Sequence, residues 1–200
     1  MKRRSFFNLA GAATFALAAP ISFQYIPRAS NEKWAILFGT WCGTARDASL
    51  WISEGMGGIA SVFDVRQSPD LSSFDHLIVG TAVHSGKGPK ALDDYIGSNK
   101  DRLSGKIRGL FAVCGALGKQ PGPVQTKTII DNYLAKLCST VSVPSRVFAG
   151  RITKVLLAEE DYKTLDSMFR KLGQPFDDYD HLDRWECMEF GKEVMAQKKA

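Results

Sequence analysis

The residues able to do chemistry gather in three short stretches of this 200-residue sequence. The first, residues 39–45, reads Gly39-Thr40-Trp41-Cys42-Gly43-Thr44-Ala45. It follows a continuous apolar run, Trp34 to Phe38, and precedes residues 46–56, where Ala48, Leu50, Trp51, Ile52 and Met56 recur at near-helical spacing. A strand-to-helix turn of this composition suits an anion. Backbone N–H groups at the helix start face it, and the positive end of the macrodipole favours it. Thr40 and Thr44 add hydroxyl donors, while Gly39 and Gly43 let the backbone come close. With no lysine, this is a phosphate cradle unlike a Walker loop. An ordinary strand-to-helix turn is the other reading. The second stretch holds Ala82, Val83, His84, Ser85 and Gly86. The third opens on Cys114, Gly115, Ala116 and Leu117 and runs to residue 123 through three glycines and two prolines.

Other chemistries are weaker here. His84 is the candidate proton carrier, because an imidazole titrates near neutrality; an exposed loop histidine is the alternative. His76 opens an apolar run and reads as structural, and His181 reads as a solvated loop residue. Ser85 has no evident base and orienting partner, which argues against a hydrolase triad. Asp177, Asp178, Asp180 and Asp183 lack EF-hand spacing and its glycine, so no metal site is assigned and a solvated acidic loop is expected. Cys42, Cys114, Cys138 and Cys187 match neither zinc spacing nor a CxxC pair.

These stretches need elements that carry them to one edge. The stretches 34–38, 59–65, 76–82, 106–114 and 146–150 read as strands, and the continuous apolar run Trp34 to Phe38 is as expected for a strand covered on both faces. Helical patterns occupy 46–56, the stretch from Pro89 through Ile96, 124–139 and 182–196, with an extra helix at 159–172 after the fifth strand. Alternation of this kind implies an α/β domain with a parallel sheet. Five units fit the order 2-1-3-4-5 with helices on both faces, and ligands then bind beyond the carboxyl ends of the strands. In that order strand three separates strands one and four. Cys42 and Cys114 therefore stand about 10 Å apart, too far for a disulfide.

The first 30 residues read as a leader rather than as part of this domain, which spans 31–200. Arg3-Arg4-Ser5-Phe6-Phe7 precedes a short apolar run, and Ala16-Leu17-Ala18 is a small-x-small pattern that predicts cleavage after Ala18. The paired arginines followed by phenylalanine resemble a twin-arginine export signal; a general secretory signal is the alternative. Export to the periplasm is expected, with membrane tethering as the outcome if the leader stays uncut. The formal charge of +5 largely reflects this segment: four of the 26 basic residues lie in it and none of the 21 acidic ones, leaving 22 against 21. A domain so close to neutral offers no electrostatic case for nucleic acid.

The residues quoted above also carry a resemblance. Thr40-Trp41-Cys42-Gly43-Thr44-Ala45 resembles the flavodoxin phosphate loop, T/S-x-T-G-x-T, with Cys42 and Ala45 in place of hydroxyl residues. Phe74-Asp75 before Leu77-Ile78-Val79-Gly80, Phe148-Ala149-Gly150, an insertion containing Asp161-Tyr162, and Asp183-Arg184-Trp185-Glu186 are similar to flavodoxin-domain proteins of the menaquinone-dependent protoporphyrinogen dehydrogenase type. The resemblance covers residues 34–196 in order. It implies a flavodoxin-like fold, FMN as cofactor, and oxidoreductase or electron-transfer chemistry with a redox partner or quinone as acceptor. It implies that residues 39–45 bind the phosphate and that residues 82–86 and 114–117 flank the isoalloxazine ring. Trp41 would then cover a ring face, and His84 would stabilise reduced flavin or pass a proton. Ala45 is expected to cost roughly 1 kcal/mol of FMN affinity through its missing hydroxyl. The alternative is an exported flavodoxin-fold binding module that has lost FMN. That family's insertion is basic and aromatic; the one here begins Glu159-Glu160-Asp161.

Overall fold

The computed structural model describes residues 31–115 and 121–197. Five strands form one parallel sheet: β1 (Trp34–Gly39), β2 (Ala60–Asp64), β3 (His76–Val83), β4 (Ile107–Cys114) and β5 (Ser145–Ala149), in the order β2-β1-β3-β4-β5. The expected order is therefore observed. β1, β3 and β4 lie inside the sheet and are almost wholly buried, the physical reason that apolar residues dominate them. Registers Phe38↔Gly80 and Gly39↔Thr81 between β1 and β3, and Thr81↔Ala112 between β3 and β4, bring the three central strand ends level at the carboxyl edge.

Helices cover both faces. On one lie α1 (Thr44–Gly55) and α6 (Arg184–Gln197), packed on Trp34, Ile36, Phe111 and Phe148. The other carries α2 (Lys90–Leu103) and a composite helix. That helix runs from α3 (Pro123–Ile129) through a π-helical stretch, Ile130–Leu134, into α4 (Ala135–Cys138). The sequence pattern gives a single regular helix here; the π stretch is not visible in it.

Two connections depart from simple alternation. Between β2 and β3 the crossover is a single 3₁₀ turn, Val65–Gln67, and an irregular stretch rather than a helix. Ser68-Pro69-Asp70 explains it: Pro69 disfavours helix before it, and Asp70 accepts the Ser72 N–H in a local turn (2.9 Å). This leaves a cavity of about 670 Å³ against α2, bordered by Arg66, Tyr95, Arg102 and Lys106.

After β5 the chain forms β6 (Arg151–Ile152), the inserted α5 (Glu159–Lys171) and β7 (Tyr179–Asp180), with β6 and β7 paired antiparallel. The stretch around Asp177 and Asp183 is loop, as expected, apart from the two residues of β7. Asp177, Asp178, Asp180 and Asp183 are all exposed, as expected of a solvated acidic stretch, and three of them also pin the chain locally. Asp180 holds Arg151 at 2.8 Å, and Asp178 accepts the Lys154 N–H at 2.9 Å. Asp183 accepts the Glu186 N–H at the start of α6, at 3.0 Å. His181 likewise closes the ribbon, stacking on Tyr179 at 4.8 Å while its N–H donates to the Gly150 carbonyl. The insertion builds a small core of its own from Tyr162, Phe169 and Phe176. Among the described residues no helix is long and apolar enough to cross a membrane.

Candidate functional site

The first loop leaves β1 at Gly39 and turns into α1 within four residues. Gly43 makes the turn possible: it stands before the helix at φ +90°, where a side chain is strained. Its N–H donates to Thr40 Oγ1 at 3.0 Å, and its carbonyl accepts the Asp47 N–H at 3.1 Å as the first helical bond. The N–H groups of Thr44, Ala45 and Arg46 therefore start the helix without intrahelical acceptors. Thr40 accepts the Gly43 bond through its oxygen and keeps its own hydroxyl proton for another acceptor. Thr44 is buried, with its hydroxyl 3.5 Å from the Cys42 sulfur.

Two residues of the loop act differently from the sequence expectation. Gly39 does not open the backbone to a ligand. A Cβ there would lie 3.1 Å from Leu92 Cβ and 3.3 Å from Pro89 Cδ, so it lets the start of α2 close on β1. Ala45 is completely buried in the core beneath α1. Its side chain faces away from the loop, so the roughly 1 kcal/mol expected for a missing hydroxyl has no structural basis. What the loop draws from Ala45 is its N–H.

The second loop is a tight hairpin. His84 and Lys87 exchange backbone hydrogen bonds of 2.9 and 3.0 Å. Ser85 and Gly86 between them have φ of +50° and +81°, the signature of a type I′ turn. The Ser-Gly pair flanked by Val83-His84 and Lys87 was the local signal for it. Ala82 and Val83 pack into the cores on opposite faces of the sheet. His84 is half-exposed, and its Nε2 lies 2.8 Å from Asp161 of α5, which leaves Nδ1 for any further partner. The indole of Trp41, 56% exposed, meets the His84 ring edge-on at 5.7 Å. The insertion thus reaches the strand edge through Asp161, a residue that sequence reasoning placed in the insertion but not in the site.

The third loop begins at Cys114, which is buried and accepts a hydrogen bond from Gln125 at 3.0 Å; burial pushes its thiol pKa up. The Gly115 carbonyl accepts the Tyr179 hydroxyl at 3.2 Å. Burial, then nearby Cys114, pushes that phenol up to about 12, so it donates at neutral pH. Ala116 and Leu117 lie outside the described residues. All four cysteines are thiols.

Besides Arg46 in the first turn of α1, a cation from beyond β5 stands close to the first loop. Arg151 bridges Asp47 of the first turn of α1 (3.0 Å) and Asp180 (2.8 Å), tying β6 to the helix that follows the loop. Trp41, Cys42, His84, Ser85, Gly86 and Gly115 therefore sit together beyond β1, β3 and β4, with open N–H donors on one side and an aromatic and imidazole surface on the other. Such an edge can bind a phosphate ester and a flat ring. His76 is elsewhere, buried against Trp34 at the opposite end of β3. Among the described residues no group of three or more His, Cys, Asp or Glu is disposed to hold a metal ion.

An open five-stranded sheet with a phosphate-type loop after its first strand defines a flavodoxin-like α/β protein. The chain belongs to the flavodoxin domain family, whose model matches residues 35–174. Its fold is similar to oxidised flavodoxin 1 from Bacillus cereus, at 16% identity over 82% of this chain and 98% of that one, with a TM-score of 0.50. It is also similar to a short-chain flavodoxin associated with a non-canonical PDU bacterial microcompartment, at 12% identity over 84% and 99% of the two chains, with a TM-score of 0.51. No curated protein matches it by sequence.

Proposed function

We propose that the protein binds FMN at this edge and works as an electron-transfer flavoprotein or FMN-dependent oxidoreductase. The observation that carries the reading is the first loop. Thr40, with its hydroxyl proton uncommitted, stands at the end of β1, Gly43 turns the chain, and the helix presents three N–H donors without intrahelical acceptors. That donor set fits a phosphate dianion, and residues 40–45 contain no carboxylate to oppose it. Trp41 would bound one side of the ring, and the His84–Lys87 hairpin and Gly115 would bound its edge. When bound, the flavin supplies the electron or hydride chemistry, while the protein supplies binding and electrostatics. His84, oriented by Asp161, would hold or donate a proton through Nδ1. The Trp41 indole would keep water from the ring.

The finer reading is a dehydrogenase of the protoporphyrinogen type with a quinone acceptor, supported by the order of motifs through residues 34–196. The acidic start of α5 counts against membrane docking through a basic insertion. Export through the twin-arginine pathway to the periplasm is supported by Arg3 and Arg4, which lie outside the described residues, as does the Ala18 cleavage site. An uncut leader would tether the protein to the membrane. Replacing both arginines by lysine tests the route, and the variant is expected to stay in the cytoplasm.

The binding claim is tested by titrating deflavinated protein with FMN and with riboflavin, for the natural chain and for Thr40→Val. Loss of a hydroxyl bond to a charged acceptor costs about 1.5–3 kcal/mol. FMN should therefore weaken about tenfold or more, while riboflavin, already weak, should not change. Equal effects on both flavins would remove the phosphate from this loop. Binding of neither would favour a module that has lost FMN.

A further inference from the structure

We propose that Tyr133 is a positioning residue for the cofactor loops, brought to the strand edge by the π-helical stretch. The inference rests on the FMN reading above for its functional meaning, but its geometry stands apart from it. Tyr133 lies within Ile130–Leu134. A π turn adds a residue to the helical ring and re-aims the side chains after it, and such turns are frequent at functional sites. Here the neighbours Ile130 and Leu134 stay in the core, while the half-buried Tyr133 reaches across to the start of α2.

Its hydroxyl donates to Asp93 Oδ1 at 2.6 Å, and the Gly88 backbone N–H faces the Tyr133 hydroxyl oxygen. Asp93 stands in the first turn of α2. Gly88 closes the hairpin that carries His84, Ser85 and Gly86. The fit leaves no spare room. A Cβ on Gly88 would stand 2.3 Å from Thr81 Oγ1 and 2.7 Å from the Tyr133 oxygen. Thr81 is completely buried and pairs with Gly39 of β1 and Ala112 of β4. One phenol therefore ties together the hairpin, the start of α2 and the strand ends beneath both loops. Because Gly39 packs directly on Leu92, α2 also abuts the origin of the phosphate loop. Burial, and next the hydrogen bond to Asp93, push the phenol pKa well up, so the donor persists across the working pH range.

The test uses Tyr133→Phe, which keeps the ring and removes only the hydroxyl, and Asp93→Asn, which keeps the shape and removes the charged acceptor. Tyr95→Phe is the control: Tyr95 stands on α2 like Asp93 and also donates its hydroxyl proton, but to the Pro69 carbonyl at 2.5 Å, so it serves the β2–β3 connection. Hydrogen exchange is read in the protein as purified, and FMN binding and the visible circular dichroism of the complex are read beside it. Both Tyr133→Phe and Asp93→Asn are expected to raise exchange in residues 82–93 about tenfold, as for a lost bond to a charged acceptor. They should also weaken FMN about tenfold and change the shape of the flavin dichroism. Tyr95→Phe should loosen residues 65–75 and leave 82–93 alone. Unchanged exchange in 82–93 overturns the proposal. So does a mere fall in Tm with unaltered flavin affinity and dichroism. If the natural chain binds no flavin while exchange in 82–93 still rises, the positioning role stands and the FMN reading falls.

Discussion

Gly43 and Gly39 belong to one loop yet should fail for different reasons when replaced by alanine. At Gly43 the backbone is at φ +90° and a Cβ meets nothing within 4 Å, so the cost is conformational alone. Forcing a side chain into the left-handed region costs about 1–2 kcal/mol. Relaxing the loop to avoid that would break the Gly43 N–H bond to Thr40 and the Asp47 N–H bond to the Gly43 carbonyl. Each is worth about 0.5–1.5 kcal/mol, so relaxation gains nothing and the loop should hold its shape under strain. Gly43→Ala is therefore expected to destabilise by about 1–2 kcal/mol. Gly43→Asn should fall between glycine and alanine, because asparagine tolerates this region better. At Gly39 an added methyl presses on Leu92 and Pro89 at 3.1 and 3.3 Å; the cost is overpacking, about 1–3 kcal/mol, and α2 must shift. Urea unfolding separates the cases through the midpoint at constant slope, and exchange in residues 89–96 reports the shift for Gly39→Ala alone. A neutral or stabilising Gly43→Ala would refute the positive-φ turn, and with it the open helix start on which phosphate binding depends.

Two further outcomes follow from the cysteines and histidines. Cys138 and Cys187 are buried thiols pushed up to about 12, and Cys114 is also raised by burial. Iodoacetamide at pH 8 should therefore label the half-buried Cys42 first, and added FMN should slow that labelling; mass spectrometry of the peptides checks both. Burial, and next the Arg108 guanidinium, hold His76 below its ordinary 6.5, although Glu32 stands 3.3 Å from its Nε2. Just below pH 6.5 the unfolded chain then binds a proton that the folded chain does not, so stability falls as the pH drops through that window and rises again toward neutrality. His76→Gln should flatten this slope in urea titrations run at several pH values.

The sheet was legible because its physics is local. Residues 34–38 are continuously apolar, and 77–80 and 109–114 nearly so, the pattern of strands covered on both faces. The phosphate-type loop was equally plain, since Gly43 and the two threonines stand where a strand meets a helix. Ala45 misled because a sequence motif does not say which way a side chain points: in the helix it faces the core. The tight turn at Ser85-Gly86 was not read from the sequence, because the pairing of His84 with Lys87 that closes it depends on the flanking register. Contacts between distant segments had no local signature. Asp161 meets His84, and Tyr179 meets Gly115, only because the chain returns from the insertion through two-residue strands too short to form a pattern. The π stretch was hidden for another reason: Ile129, Ile130, Tyr133, Leu134 and Leu137 fit a regular helix well enough that one inserted residue leaves no trace.

The central claim is that this edge holds FMN. The most direct measurement is the visible absorption spectrum of the purified chain, mixed with excess FMN and passed through gel filtration, with the retained flavin quantified per chain. The account predicts close to one FMN per chain, with absorption bands displaced from those of the free flavin. A colourless protein eluting free of flavin would contradict it.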